Sequence, residues 1–213
     1  MKKYELTAEF IEKWGKKLFR IKALISFGNV EAGELGGYVE KEDNLAQDDN
    51  AWVHGNARVF GNARVCDDAE VCDDAEVFGN ARVFGNARVF GNARVCDDAE
   101  VCGNARVFGN ARVCDDARVC GNARVYGDAD YLLIGRIGSR FSFTTFFKNK
   151  DKGITVSCGC FLGTIAEFRA KVSDTHGNNK HAKIYNLAAD MAELQILGEE
   201  HFENLNTNKS EPF

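Results

Sequence analysis

No run of apolar residues in this sequence approaches the twenty or so needed to cross a bilayer, so a membrane-spanning helix is not expected. Met1 to Phe10 holds two lysines but lacks the apolar core of a secretory signal, which makes the cytoplasm the expected compartment. An excess of basic charge is lacking as well. The net charge is −5 and no segment is basic enough to follow a phosphate backbone, which argues against general nucleic-acid binding and against a membrane surface. Histidine is thin in the middle of the chain, where His54 stands alone between residues 51 and 130, and no loop interrupts that stretch to build a pocket.

What fills that stretch is a six-residue unit, G-N-A-R-V-F, with the variant C-D-D-A-E-V. Valine recurs at every sixth position from Val53 to Val125, with alanine two residues before each. Positions two apart share one face of an extended strand, so Val and Ala are expected to be buried together. A helical reading fails, because a period of six does not track 3.6 and both Val and Gly-Asn oppose helix. Each unit is therefore a short strand and a corner. The second corner residue, always Asn or Asp as at Asn56, Asn62 and Asp68, is expected to carry the left-handed backbone, since these types enter it most readily.

This pattern resembles the hexapeptide repeat of left-handed parallel β-helices over all of residues 51–130. The resemblance implies three hexads per coil, so that residues 18 apart stack at about 4.8 Å. Stacked that way, Arg58, Glu76 and Arg94 form one alternating ladder, Arg82, Glu100 and Arg118 another, and Glu70 lies over Arg88, all read as a solvated surface. The position after each Val points outward in such a helix and carries Phe60, Phe78, Phe84, Phe90, Phe108 and Tyr126, giving apolar stripes that something must cover. Side-by-side packing into a homo-oligomer, with a trimer favoured, is the first expectation, and coverage by the protein's own termini the second.

Of eight cysteines, six share that outward column: Cys66, Cys72, Cys96, Cys102, Cys114 and Cys120. In a reducing compartment they read as small hydrophobes, although Cys96 over Cys114 and Cys102 over Cys120 are placed to pair. Asp97, Asp98, Asp115 and Asp116 would share one corner, read as solvated turn residues with a hard cation as the alternative.

The flanks divide the chain into three expected domains. Residues 1–50 read as a capping module with a short helix around Ala8 to Trp14, a β-leaning segment from Lys17 to Phe27, and degenerate first hexads from Gly36 onward. Residues 131–213 read as an α+β module. A hairpin joins Thr144–Phe147 to Ile154–Ser157, Thr164 and Glu167 form a capping box, and helices run towards Thr175 and from His181 to Leu197, followed by a polar tail. The fold class expected is mainly β, a β-helix with a small N-terminal cap and a C-terminal α+β module. Its S-C-G-C-F and G-S-R…T-T-F-F segments, together with the repeat and the start of the chain, are similar to phage and prophage repeat proteins often labelled acyltransferases.

Three sites follow as expectations. Arg136, Ser139, Arg140, Phe143 and Lys148 combine charge and rings suited to a phosphate-bearing base, or to a protein partner. Cys158, Cys160 and His176 carry zinc-compatible chemistry, as Asp97 and Asp115 do for a hard cation, but a structural turn is the preferred reading and no cofactor is expected. The resemblance implies that an acyltransferase acting with coenzyme A or an acyl carrier would use a histidine between neighbouring β-helices, for which His54 is the candidate. The preferred function is a non-catalytic scaffold or binding protein, aimed at a host component or signalling nucleotide in a bacterial cell if the phage-type resemblance holds.

Overall fold

Valine and alanine at fixed spacing build the first unit of the computed structural model, which describes residues 2–199 and divides into two compact units, Met1–Asn122 and Ala123–Phe213. Within the first unit β1 (Tyr4–Lys13), β2 (Lys16–Ala23) and β3 (Leu35–Val39) precede a run of two-residue strands. These are β4 (Trp52–Val53), β5 (Arg58–Val59), β6 (Arg64–Val65), β7 (Glu70–Val71), β8 (Glu76–Val77), β9 (Arg82–Val83), β10 (Arg88–Val89), β11 (Arg94–Val95), β12 (Glu100–Val101), β13 (Arg106–Val107), β14 (Arg112–Val113) and β15 (Arg118–Val119). They wind into a parallel β-solenoid of about five turns.

Every third strand pairs, Val59 with Val77, Val77 with Val95 and Val95 with Val113, so the coil is 18 residues long. Backbone hydrogen bonds run up the stack, as from Arg64 N to Ala81 O at 2.9 Å and from Cys66 N to Val83 O at 3.1 Å. The Val and Ala columns are shut away from water, each valine contributing about 1.5–3 kcal/mol by its burial before chain entropy is subtracted. Val and Ala fill the interior and backbone hydrogen bonds join successive coils, which leaves the outer positions free to vary.

The corners correct one expectation. Positive φ falls on the first corner residue, Gly61 at 73°, Asp67 at 60° and Gly79 at 74°, and not on the second. The first position must turn the chain, so it holds Gly, or an Asp whose carboxylate accepts a backbone N–H one coil later: Gly85 N to Asp67 Oδ2 is 2.8 Å and Gly91 N to Asp73 Oδ2 is 2.9 Å. The second residues instead hydrogen-bond side chain to side chain, as Asn62 to Asn80 at 3.2 Å and Asn80 to Asp98 at 3.0 Å.

The helix expected at residues 8–14 is a strand. β1 pairs antiparallel with β2 through Lys13 and Lys16, turning at Trp14 and Gly15 with φ of 49° and 75°. Two successive left-handed residues match the twist of a tight hairpin, and the β-leaning partner strand supplies the pairing. β2 then pairs with β3, and β3 joins β5 in parallel, so the cap extends one wall of the solenoid. Trp14 lies edge-on to Phe60 and Phe78 at 5.3 and 5.1 Å, and those rings stack on one another at 5.2 Å. Phe60 is thereby buried by the chain's own hairpin.

Two further readings change. Cys96–Cys114 and Cys102–Cys120 are disulfides with Cα separations of 4.7 and 4.6 Å, because the inter-coil spacing falls inside the range a disulfide spans. Cys66 and Cys72 are free thiols. Glu76 is not a solvated ladder residue: it is buried and held by Lys13, by Arg58 at 3.2 Å and by Arg94 at 3.4 Å.

In the second unit β16 (Arg124–Val125) precedes an antiparallel meander of β17 (Tyr131–Ile137), β18 (Ser142–Lys148), β19 (Ile154–Cys158) and β20 (Phe161–Thr164). Helices α1 (Ile165–His176) and α2 (Lys180–Leu197) follow. Thr164 caps α1 by accepting from Glu167 N at 3.3 Å while Glu167 accepts from Thr164 N at 2.8 Å, the capping box expected from sequence. Phe146, Val156, Phe168, Val172, Tyr185 and Ala189 bury against one another between sheet and helices. Arg169 on α1 grips Asp190 and Glu193 on α2, each at 2.7 Å. The polar tail beyond residue 199 lies outside the described residues. No helix among the described residues is long and apolar enough to cross a membrane.

Candidate functional site

A cleft of about 220 Å³ opens in the second unit where the turn between β17 and β18 and the turn between β19 and β20 meet helix α1. Gly138 makes it possible. Its φ is +73°, and a Cβ there would lie 1.9 Å from the Tyr185 hydroxyl, so only glycine lets the turn settle over that ring. Ser139 and Arg140 follow directly and form one rim, facing Lys171, Thr175 and His176 from α1. Phe161, Phe168 and Val172 supply apolar wall, and Cys158, Gly159 and Cys160 close the far side.

Among the described residues the lining contains Arg140, Lys171 and His176 but no carboxylate, and these groups favour an anion in the cleft. Among the described residues no hydrogen bond or ion pair engages the Arg140 guanidinium or the Lys171 ammonium. Tyr185 stacks on His176 at 5.7 Å. Burial, reinforced by the neighbouring Cys158 thiol and opposed by Arg140, holds the Tyr185 phenol above its ordinary value, which keeps it a neutral donor.

The residues singled out from sequence separate here. Ser139 and Arg140 line the cleft. Lys148 instead pairs with Asp130 at 3.1 Å, and Arg136 lies over the Phe143 ring at 6.0 Å, outside the lining. Cys158, Cys160 and His176 all reach the cleft, yet among the described residues their ligand atoms do not all come within 4.8 Å of one another. Thr144 Oγ1 donates to Cys158 Sγ at 3.2 Å, which suits a structural role for the C-G-C turn. Sequence reasoning missed Lys171, Thr175, Phe161 and Tyr185. The helical spacing of Lys171 and Thr175, four residues apart on α1, was the signal available for two of them.

On the solenoid, Asp97 lies beside Cys96 and Cys114, whose sulfurs are bonded to each other. His54 lines a second cleft, of about 300 Å³, with Trp52, Asn50, Asp68, Glu70 and Arg88. Burial lowers the His54 pKa against the opposing pull of Glu70, so its imidazole is neutral at pH 7. Of the outward rings, Phe90 and Phe108 stack at 5.1 Å and Phe84 carries Arg82 over its face at 5.4 Å, all three half-buried, while Tyr126 is exposed.

Comparison with known families gives one result that bears on the repeats. The family model described as YdcK Beta solenoid repeat matches residues 81–97, 99–115 and 117–129. The matches start at 18-residue intervals, the length of one coil in the structure. The chain is thus a β-solenoid repeat protein. A search of curated proteins finds no match to it.

Proposed function

We propose that this protein is a non-catalytic scaffold and binding protein, in which the β-solenoid is a rigid support and the C-terminal cleft takes a small anionic ligand with a flat ring. The observation that carries this reading is the set Arg140, Lys171 and His176 around an apolar wall, with no carboxylate in the lining among the described residues. Ring stacking would fall to Phe161 and charge recognition to Arg140. The volume suits a mononucleotide-sized group in part and is far too small for coenzyme A as a whole. A signalling nucleotide of a host cell, the ligand the phage-type resemblance implies, fits that description.

The test is a thermal-shift series with a mononucleotide, inorganic phosphate and coenzyme A. A stabilisation by the mononucleotide of about 2.7 kcal/mol at a hundredfold excess over Kd is expected, lost in Arg140→Ala. No shift with any of the three would refute the binding role.

The uninterrupted repeats supply a second proposal, self-association. The hairpin buries Phe60 and sets Trp14 against Phe78, whereas Phe84 and Phe90 are half-buried with no hairpin ring over them. A homo-oligomer, with a trimer favoured, would bury them, and native mass spectrometry of wild type against Phe84→Ser/Phe90→Ser decides it. The acyltransferase reading rests on His54 in its cleft, and it requires coenzyme A binding that His54→Ala abolishes.

A further inference from the structure

The winding of the solenoid brings together three side chains of different chemistry on one outer wall. Glu70 and Cys72 flank Val71, and alternation along the strand puts both on the outside. His54 occupies the same column as Cys72 one coil earlier, and its backbone N–H donates to Val71 O at 2.8 Å, which fixes its backbone against the Glu70–Cys72 segment. An imidazole nitrogen, a carboxylate oxygen and a thiol sulfur consequently lie within 4.8 Å of one another, all half-buried.

We propose that His54, Glu70 and Cys72 bind a single thiophilic divalent cation, with zinc the metal their chemistry suits best. One nitrogen, one oxygen and one sulfur donor form a borderline set that zinc accepts, while calcium and magnesium take oxygen ligands. Three protein ligands leave the fourth tetrahedral position open. That position has access to solvent, because His54 and Glu70 also line the 300 Å³ cleft.

The surroundings fit such a role. Arg88 Nη2 sits 3.0 Å from Glu70 Oε1 and 2.9 Å from Oε2, which orients the carboxylate as an outer-shell partner does. Trp52 pairs in register with Glu70 and lines the same cleft, and its buried indole N–H has no hydrogen-bond partner among the described residues. Burial, ahead of the Glu70 and Asp73 charges, pushes the Cys72 thiol up to about 11, so the cation must displace that proton to bind. The other cluster of this kind, at Cys96, Asp97 and Cys114, has its sulfurs tied up in a disulfide.

The test uses the full chain, stripped of metal with its disulfides intact and handled without oxygen, titrated with cobalt(II) as a spectroscopic stand-in for zinc. One equivalent is expected to bind with a thiolate-to-cobalt charge-transfer absorption that zinc bleaches. The band should vanish in Cys72→Ser and persist in the Cys158→Ser/Cys160→Ser double variant. His54→Ala and Glu70→Gln, which keep the thiol, should keep the band but weaken binding by about tenfold or more. Circular dichroism checks that each variant retains the solenoid. Absence of the band in the wild type, its survival in Cys72→Ser, or unchanged affinity in both His54→Ala and Glu70→Gln overturns the proposal.

Discussion

The first corner position of each hexad accepts only Gly or Asp along the solenoid, and the structure says why in terms that substitution can test. At Gly85 φ is +69°, and a Cβ would sit 3.0 Å from Gly103 N. Gly85→Ala incurs about 1–2 kcal/mol for the left-handed backbone, offset in part by about 0.4–1 kcal/mol from a stiffer unfolded chain. Adding the tight contact, a net loss of about 1–2 kcal/mol is expected. Gly85→Asp meets the same backbone, but its carboxylate can accept the Gly103 N–H as Asp67 accepts that of Gly85 at 2.8 Å. That bond returns about 1 kcal/mol, so the variant should lie within about 0.5 kcal/mol of wild type. The converse holds at Asp67, where φ is 60°: replacement by Gly loses the bond and relieves the backbone, while replacement by Ala loses the bond and keeps the strained backbone. Urea midpoints at constant slope measure all four variants. If Ala proves as stable as Asp at either position, the account of the corner is wrong.

Three other outcomes follow from particular contacts. Without reductant, alkylation should modify Cys66, Cys72, Cys158 and Cys160 and spare the disulfide-bonded Cys96, Cys102, Cys114 and Cys120. Reduction should then cost about 3 kcal/mol for the first loop opened, each spanning 18 residues, and alkylation of all eight before reduction would refute the pairing. Burial pushes the Glu40 carboxyl up, but Lys16 and the Gly61 N–H at 2.6 Å outweigh it and hold the pKa below the usual carboxylate range. Its stabilisation is therefore full above the unfolded-state value and lost as pH falls through the folded one, so wild type and Glu40→Gln should converge in stability at the acid end and diverge towards neutrality. Gly138→Ala, whose Cβ would meet the buried Tyr185 ring, should be more damaging to stability and to ligand binding than Gly159→Ala, which meets only Arg140 at 3.8 Å; equal effects would remove Gly138 as the residue that shapes the cleft.

Much of the solenoid was legible in the sequence because its determinant is periodic. A buried Val every six residues fixes which positions face inward, and with the three hexads per coil that the resemblance to hexapeptide-repeat β-helices implies, the ladders Arg58–Glu76–Arg94 and Arg82–Glu100–Arg118 followed. The hairpin was not legible: residues 8–14 carry no repeat, and Trp14 finds its place only because Phe60 and Phe78 stack one coil apart beneath it. The same event turned Glu76 from a surface residue into a buried one, since Lys13 at the hairpin's tip comes down beside it. Burial there is imposed by a neighbour distant in sequence, which no local pattern encodes.

The candidate sites divide along the same line. Arg140 could be picked out because a charge in an aromatic-rich hairpin is conspicuous, but its companions Lys171 and His176 come from a helix that the fold brings across, and Arg136, four residues before Arg140, lies over the Phe143 ring outside the lining. In the solenoid the opposite holds. His54, Glu70 and Cys72 are set by arithmetic, since 72 is one 18-residue coil beyond 54 and Glu70 is two residues before it, so their convergence was implicit in the repeat. It went unread because each was weighed in its own column, His54 as a catalytic group, Glu70 as a charge in a ladder and Cys72 as a hydrophobe. A repeat fold places residues from adjacent columns as close together as residues within one. Functional sites on such walls are therefore to be sought diagonally, pairing each outward residue with the two that flank its partner one coil away.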